Sequence, residues 1–396
     1  MKNLLVYLLL VFAFFSCKKE ITNNQLQQQN AKQKVSAANT SSIYWTYAQE
    51  THNYVVGNLL TSYNSYKANN TLPTTAYEWY NASQIYADAA MVQYGDSRYN
   101  SYMNNTYAWM NNMWDNQSSI GGYFAQANVD GSGAAGDKYV DDNALTGNVY
   151  LDCYYITTGT TQTNYLNSAE AIANWLMNSG LWDNTYGGGF WWNTQKQVKP
   201  TQSNALALQL FLRLYQITGQ TFYKDWANSI KNWLESEMFD NTTGLYIWQV
   251  TSSGKQNVNF TYDNAIMLEA DLLYYQILGT TSYFTKAQNL GIAMNTILWD
   301  GTHHVYIFNT SDPRVTPAWC GWASQAMIRL YEADGNTAWL DYAQQNIDFI
   351  NNNLRDANSK GYYQFVNLDG SGRYTNLEGV DQAWMQRIQA QLSNYR

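Results

Sequence analysis

The chain has 396 residues, 45% of them apolar, and a formal charge of −8 with only 22 Lys and Arg. Nucleic acid binding needs clustered cations, so this balance argues against nucleic acid as a partner, and polyuronides are disfavoured for the same reason. With 34 Tyr, 16 Trp and 13 Phe against 13% charged residues, the composition suits a neutral polysaccharide or oligosaccharide held by ring stacking and amide hydrogen bonds.

The N-terminus reads as a targeting segment. Lys2, the apolar run Leu4 to Phe15 and the string FFSC ending at Cys17 resemble a bacterial lipoprotein signal, so 1–17 is expected to leave the fold and Cys17 to carry lipid. Residues 18–39 are polar and low in complexity, as a flexible tether should be. The expected location is the bacterial outer membrane, at the cell surface or facing the periplasm, with the protein a monomer anchored to the membrane by that lipid. Residues 40–396 read as a single catalytic domain.

After a first helix near 42–64, the chain repeats itself. Six helices open with a similar signature: WYNAS at Asn81, DDNAL at Asn143, QSNAL at Asn204, YDNAI at Asn264, CGWAS at Trp322 and VDQAW at Gln382. From Ala82 to Ala144, Ala205, Ala265, Ala323 and Ala383 the spacings are 62, 61, 60, 58 and 60 residues, a regular internal repeat. A glycine follows each of the first five at Gly95, Gly159, Gly219, Gly279 and Gly335, where a left-handed residue is expected to close the helix. Beyond it an apolar stretch such as YKDWANSIKNWL has the three- and four-residue steps of a return helix. Each unit is therefore a helical hairpin, and the first helix can pair with the last one near 378–393. The predicted fold is all-α, an (α/α)6 barrel of about twelve helices with the signature helices inside.

The links between hairpins come to the end of the barrel where the inner helices begin. GGYFAQANVDGSG, GGGFWWNTQKQVKP, GLYIWQVTSSGK, HHVYIFNTSDPR and GYYQFVNLDGSG alternate around turn residues and read as short β-hairpins at the mouth. They are expected to bring Tyr123, Trp191, Trp192, Tyr246, Trp248, Tyr306, Phe308, Tyr362 and Phe365 near one face, about half of them packing the links and the rest offering sugar platforms. The DGSG pieces at Asp130 and Asp369 lack the ligand set of a calcium loop and read as turns. No metal and no cofactor is required. Cys153 and Cys320 fall about 18 Å apart along aligned helices, too far for a disulfide, and should be free, buried thiols.

Asp141 and Asp142 stand together at the start of the second signature helix. Helix capping would account for one acid in any helix, but the other five aligned starts use an amide, a hydroxyl or a single acid. Neighbouring helical residues point about 100° apart, so the two carboxyls stay within several ångströms. Retaining glycosidases hold their acids about 5–5.5 Å apart and inverting ones roughly 6.5–9.5 Å, so adjacency leans towards retention.

YVDDNAL, GLWDNTYGGGFWWN, QSNALALQLFLRLYQITG and FTYDNAIMLEADLLYY resemble glycoside hydrolase family 76, the bacterial endo-α-1,6-mannanases, over about residues 137–278. The resemblance implies an (α/α)6 fold and a retaining mechanism with Asp141 as nucleophile and Asp142 as acid/base. Departures occur at Leu145, at TYDNA and at PAWCGWAS, positions that would line subsites. Candidate substrate contacts are Asn143, Asn204 and Asn264 of the signatures, Tyr262, Asp263, Trp322 and Asp381 at aligned helix starts, and Trp191, Trp192, Tyr246, Trp248 and Tyr306 of the links. Other readings stay open: a surface glycan-binding lipoprotein without catalysis, a transglycosylase, an inverting enzyme pairing Asp142 with Asp263 or Asp381, and a histidine-dependent epimerase. The last has only His52, His303 and His304 to draw on, none at an inner helix start.

Overall fold

A computed structural model describes residues 39–396; the expected signal segment, Cys17 and the tether up to residue 38 lie outside the described residues. Twelve α-helices run through the described residues: α1 (Ile43–Asn58), α2 (Glu78–Gln93), α3 (Asn100–Met110), α4 (Val140–Ile156), α5 (Gly159–Asn178), α6 (Thr201–Thr218), α7 (Thr221–Trp233), α8 (Thr261–Leu278), α9 (Thr281–Ile297), α10 (Pro317–Asp334), α11 (Thr337–Asn353) and α12 (Gly379–Leu392). The six signature helices touch in the order α2, α4, α6, α8, α10, α12 and back to α2. Each is backed by an outer helix, α3 on α2, α5 on α4, α7 on α6, α9 on α8, α11 on α10 and α1 on α12. The barrel is closed, and the first helix completes the last hairpin.

Sequence pattern separates the two layers. Helix α6, read NALALQLFLRL, is buried on nearly every side, whereas outer α7 buries only the stripe Tyr223, Ala227, Ile230, Lys231 and Trp233, the spacing of an amphipathic helix. The alanine of every signature is buried, at Ala82, Ala144, Ala205, Ala265, Ala323 and Ala383. Neighbouring inner helices leave little room: a Cβ on Gly147 of α4 would come within 2.8 Å of Leu210 of α6.

The rest of the signature is a clasp. Asn143 accepts the N–H of Tyr123 (2.8 Å) and donates back to its carbonyl (3.1 Å). The same double bond joins Asn81 to Tyr66, Asn204 to Phe190, Asn264 to Tyr246 and Gln382 to Tyr362. Where the fifth signature has Trp322 instead, Asn346 of outer α11 takes the N–H of Tyr306. Each clasp pins the link that precedes its helix.

Two residues further on, the same link reaches the previous helix. The first N–H groups of an α-helix have no partner within it. Here that of Glu78 donates to the carbonyl of Ala125, Val140 to Trp192, Thr201 to Trp248, Thr261 to Phe308 and Gly379 to Ala68. Only α10 departs, because it begins at Pro317, which has no N–H to cap. Clasp and cap together stitch the inner helices other than α10 to their neighbours around the ring.

The strands differ in part from expectation. Phe239–Asp240 with Leu245–Tyr246, Gln249–Thr251 with Gly254–Gln256, and Trp299–Asp300 with Val305–Tyr306 are local hairpins. Gln126–Asn128 pairs instead with Thr75–Tyr77, and Val198–Pro200 with Gln249–Thr251 of the next link; bridging inner helices requires neighbouring links to meet. The two DGSG segments are turns, in which Asp130 and Asp369 each accept the N–H and hydroxyl of the serine two residues on. Gly219, Gly279 and Gly335 close their helices at φ 70°, 70° and 73°. Gly159 does not: α4 ends at Ile156, and Gly159 opens α5. Cys153 and Cys320 are free and buried.

Candidate active site

The link rule delivers Trp192 to the acid pair. Three glycines precede the clasped Phe190, all with positive φ (82°, 133° and 85°), and a Cβ on Gly189 would sit 2.6 Å from Trp233. Only glycine allows that close, left-handed approach. The carbonyl of Trp192 then caps Val140, and its indole N–H donates to both oxygens of Asp141 at 2.9 and 3.0 Å. The ring itself stays 39% exposed and packs at a tilt of 51° on Tyr139, 4.7 Å between centroids.

Asp141 and Asp142 occupy the first turn of α4, and no side chain caps that helix. Asp141 is buried and Asp142 partly exposed. Burial raises the Asp141 carboxyl to about 6, held back by the indole bond and by the main-chain N–H groups of Asp141 and Asp142. Burial pushes Asp142 well above the usual carboxylate range, and the charge of Asp141 adds to it. Two adjacent acids thus sit in unlike surroundings, one braced as an anion and one favoured with its proton.

A third carboxyl went unread in the sequence. Glu78, at the start of α2, is fully buried and accepts the Thr146 hydroxyl at 2.9 Å. Burial, then the charge of Asp142, lifts it well above its usual range. Its only sequence signal is alignment: Ala82 minus four falls on the same helix start as Val140. Tyr139 beside Trp192, and Trp319 packed 4.5 Å from Tyr262, were also missed.

Among the expected contacts, Trp192, Trp248 and Tyr262 gather at this end of the barrel. The Asp141 charge reaches the Tyr262 phenol, which burial and Asp263 already push well above its usual range; Phe260 packs between Tyr262 and Trp248, at 5.3 and 5.1 Å. The others are placed elsewhere. Asn143, Asn204 and Asn264 are buried with their amides engaged in the clasps, so they have nothing to offer a sugar. Trp191 is buried, donating to Asp183 at 2.6 Å. Tyr246 faces Lys231 of outer α7, and Tyr306 is buried with its hydroxyl on Asn295. Trp322 packs on Trp384 at 4.1 Å inside the barrel. Asp381 accepts the N–H of Ala318 at 3.1 Å, and Asp263 is fully buried, which pushes its carboxyl well above the usual range. Both align with Asp142, and Asp381 is turned to the start of the preceding inner helix. The Asp142 charge reaches the Glu78 carboxyl, at the start of the preceding inner helix α2.

The chain is 30% identical over 111 residues to a mannan endo-1,6-α-mannosidase of Candida glabrata and 25% identical over 152 residues to one of Saccharomyces cerevisiae, spanning only 25% and 33% of their lengths. Its fold superimposes on a family 76 α-mannanase of Bacteroides thetaiotaomicron with a TM-score of 0.79 at 20% identity, covering 90% of this chain and 97% of that one. An α-1,6-mannanase of Salegentibacter, inactive with two consecutive aspartates replaced by asparagine and bound to α-1,6-mannotriose, gives 0.68 at 18%, covering 88% and 98%. A cellobiose 2-epimerase of Bacillus thermoamylovorans shares the fold too, at 0.69 and 12% identity over 87% and 99%. The sequence model of glycosyl hydrolase family 76 matches residues 45–313, more than half of the chain, and the protein belongs to that family.

Proposed function

We propose that this glycoside hydrolase cleaves α-1,6-linked mannan internally and with retention, using Asp141 and Asp142. The observation that carries the reading is the contrast between the two acids: Asp141 braced by the Trp192 indole, Asp142 raised by burial and its neighbour. Of the two, Asp142 is the one favoured to hold the proton and Asp141 the one favoured to carry the charge. Asp141 attacks the anomeric carbon while Asp142 gives its proton to the departing oxygen, forming a covalent glycosyl-enzyme; water, deprotonated by Asp142, then releases the sugar. Trp192 and Trp248 offer ring faces to pyranose units. The mannan substrate is supported by the named activity of the distant relatives. Debranched α-1,6-mannan, tested beside other neutral glycans, should give oligosaccharides whose first anomer by proton NMR is α. A β anomer would replace retention by inversion.

Trp192 provides a finer test. The reaction needs Asp141 ionised, so activity should rise as the pH climbs through about 6. Trp192→Phe keeps a ring but removes the donor that lowers Asp141, so the acid limb of kcat/KM is expected to move up by about half to one on the pH scale. An unmoved limb would leave Trp192 as a platform alone. The same proposal places the enzyme at the outer membrane through lipid on Cys17, and Cys17→Ala should shift it from the membrane to the soluble fraction on ultracentrifugation.

A further inference from the structure

A chain of aromatic rings, bridged at one point by a guanidinium, runs from Tyr262 to the exposed ring of Tyr374. Tyr262 of α8, in reach of the Asp141 charge, packs on Trp319 of α10 at 4.5 Å. Trp319 stacks on Phe308 at 5.8 Å with 22° between planes. The Arg314 guanidinium lies 5.0 Å from the centre of Phe308 and 4.5 Å from that of Phe365. Phe365 in turn stacks at 5.0 Å, within 6° of parallel, on Tyr374.

The outermost ring is built to stay put while facing water. Tyr374 is 49% exposed, yet its N–H donates to the carbonyl of Phe365 at 2.9 Å, which fixes the two rings in register. Arg314 braces the stack from the other side of Phe365, its charge balanced by Asp312 at 2.7 Å. Cross-strand stacking of this kind contributes up to about 1 kcal/mol to the bridge, and it leaves Tyr374 half exposed. A flat, rigid, uncharged face is what stacking on a pyranose needs, and fixing it beforehand removes the ordering cost from binding.

We propose that the outer face of Tyr374, braced by Phe365 and Arg314, is a distal platform for a pyranose unit of a neutral polysaccharide, remote from the bond cleaved. The proposal rests on the glycoside hydrolase reading of Asp141 and Asp142, because the chain of rings begins at Tyr262, which the Asp141 charge reaches. An internally cutting enzyme gains chain affinity from such a platform without touching the reacting atoms.

Tyr374→Ala and Tyr374→Phe are compared with the wild type on debranched α-1,6-mannan and on the shortest α-1,6-manno-oligosaccharide that the wild type cleaves. The alanine variant should raise KM for the polymer about three- to tenfold, leave kcat unchanged and leave the short substrate unaffected; phenylalanine, which keeps the plane, should behave as wild type. Equal losses on both substrates, or no loss on the polymer, overturn the platform. Wild type inactive on both would defeat the mannanase reading instead. Affinity electrophoresis in gels containing the mannan then decides the platform by itself: retardation of wild type that Tyr374→Ala abolishes supports it, and equal mobility of the two overturns it.

Discussion

Replacing Asp142 by Asn is expected to lower kcat on α-1,6-mannan by about 10²–10⁴-fold, the usual worth of a positioned general acid, with substrate affinity retained. Asparagine keeps the shape of the side chain and cannot supply the proton. A substrate whose leaving group departs without protonation, an aryl α-mannoside with a strongly acidic phenol, should recover most of the first step. Asp141→Asn should behave otherwise, losing turnover on both substrates, because no leaving group substitutes for a nucleophile. The pair of variants therefore separates the two roles, and it also separates an enzyme from a glycan-binding module, in which both would bind and neither would matter. If Asp142→Asn turned over at the wild-type rate, the proton would have to come from elsewhere. Asp263 and Asp381 are poorly placed to give it: both are buried, and Asp381 accepts the main-chain N–H of Ala318.

The roughly 60-residue beat and the aspartate pair could be read from the sequence because both are local patterns. A repeat fixes which residues are equivalent, and so how many helices form each layer. It does not say what the equivalent residue touches. Asn143, Asn204 and Asn264 were expected to meet sugar, since amides at a barrel mouth suit hydroxyls, but their partners are the backbone groups of Tyr123, Phe190 and Tyr246. Those partners lie 14 to 20 residues upstream, and no periodicity marks them. The same blindness affected the rings. Trp191 and Trp192 are adjacent in sequence, yet only the one two residues past the clasp arrives over α4, and the clasp had to be seen first. Glu78 stayed hidden because its repeat, WYNAS, carries no acid in the signature itself.

The other end of the barrel should be the most sensitive place for stability. Asp152 lies ten residues beyond Asp142, about 15 Å down the same helix, and receives guanidinium groups from two other inner helices, Arg213 of α6 and Arg387 of α12. All three side chains are largely buried. Arg213 also donates to the carbonyl of Asn148 at 2.8 Å, and Arg387 to Gln325 at 2.8 Å, which itself donates to Glu269. The network thus ties α4, α6, α8, α10 and α12 together across the axis. Asp152→Ala would leave two cations close together in the interior without their shared anion, and unfolding free energy from urea titration is expected to fall by about 3–5 kcal/mol. The loss would come from the stranded charges more than from the missing attraction, because both the pair and its desolvation are removed when all partners go. Asp152→Leu combined with Arg213→Met and Arg387→Met should therefore regain most of the stability of the wild type. Equal destabilisation in the single and triple variants would mean that the ion pairs themselves hold the helices, and a loss below about 1 kcal/mol in the single variant would mean that the arginines are satisfied without Asp152.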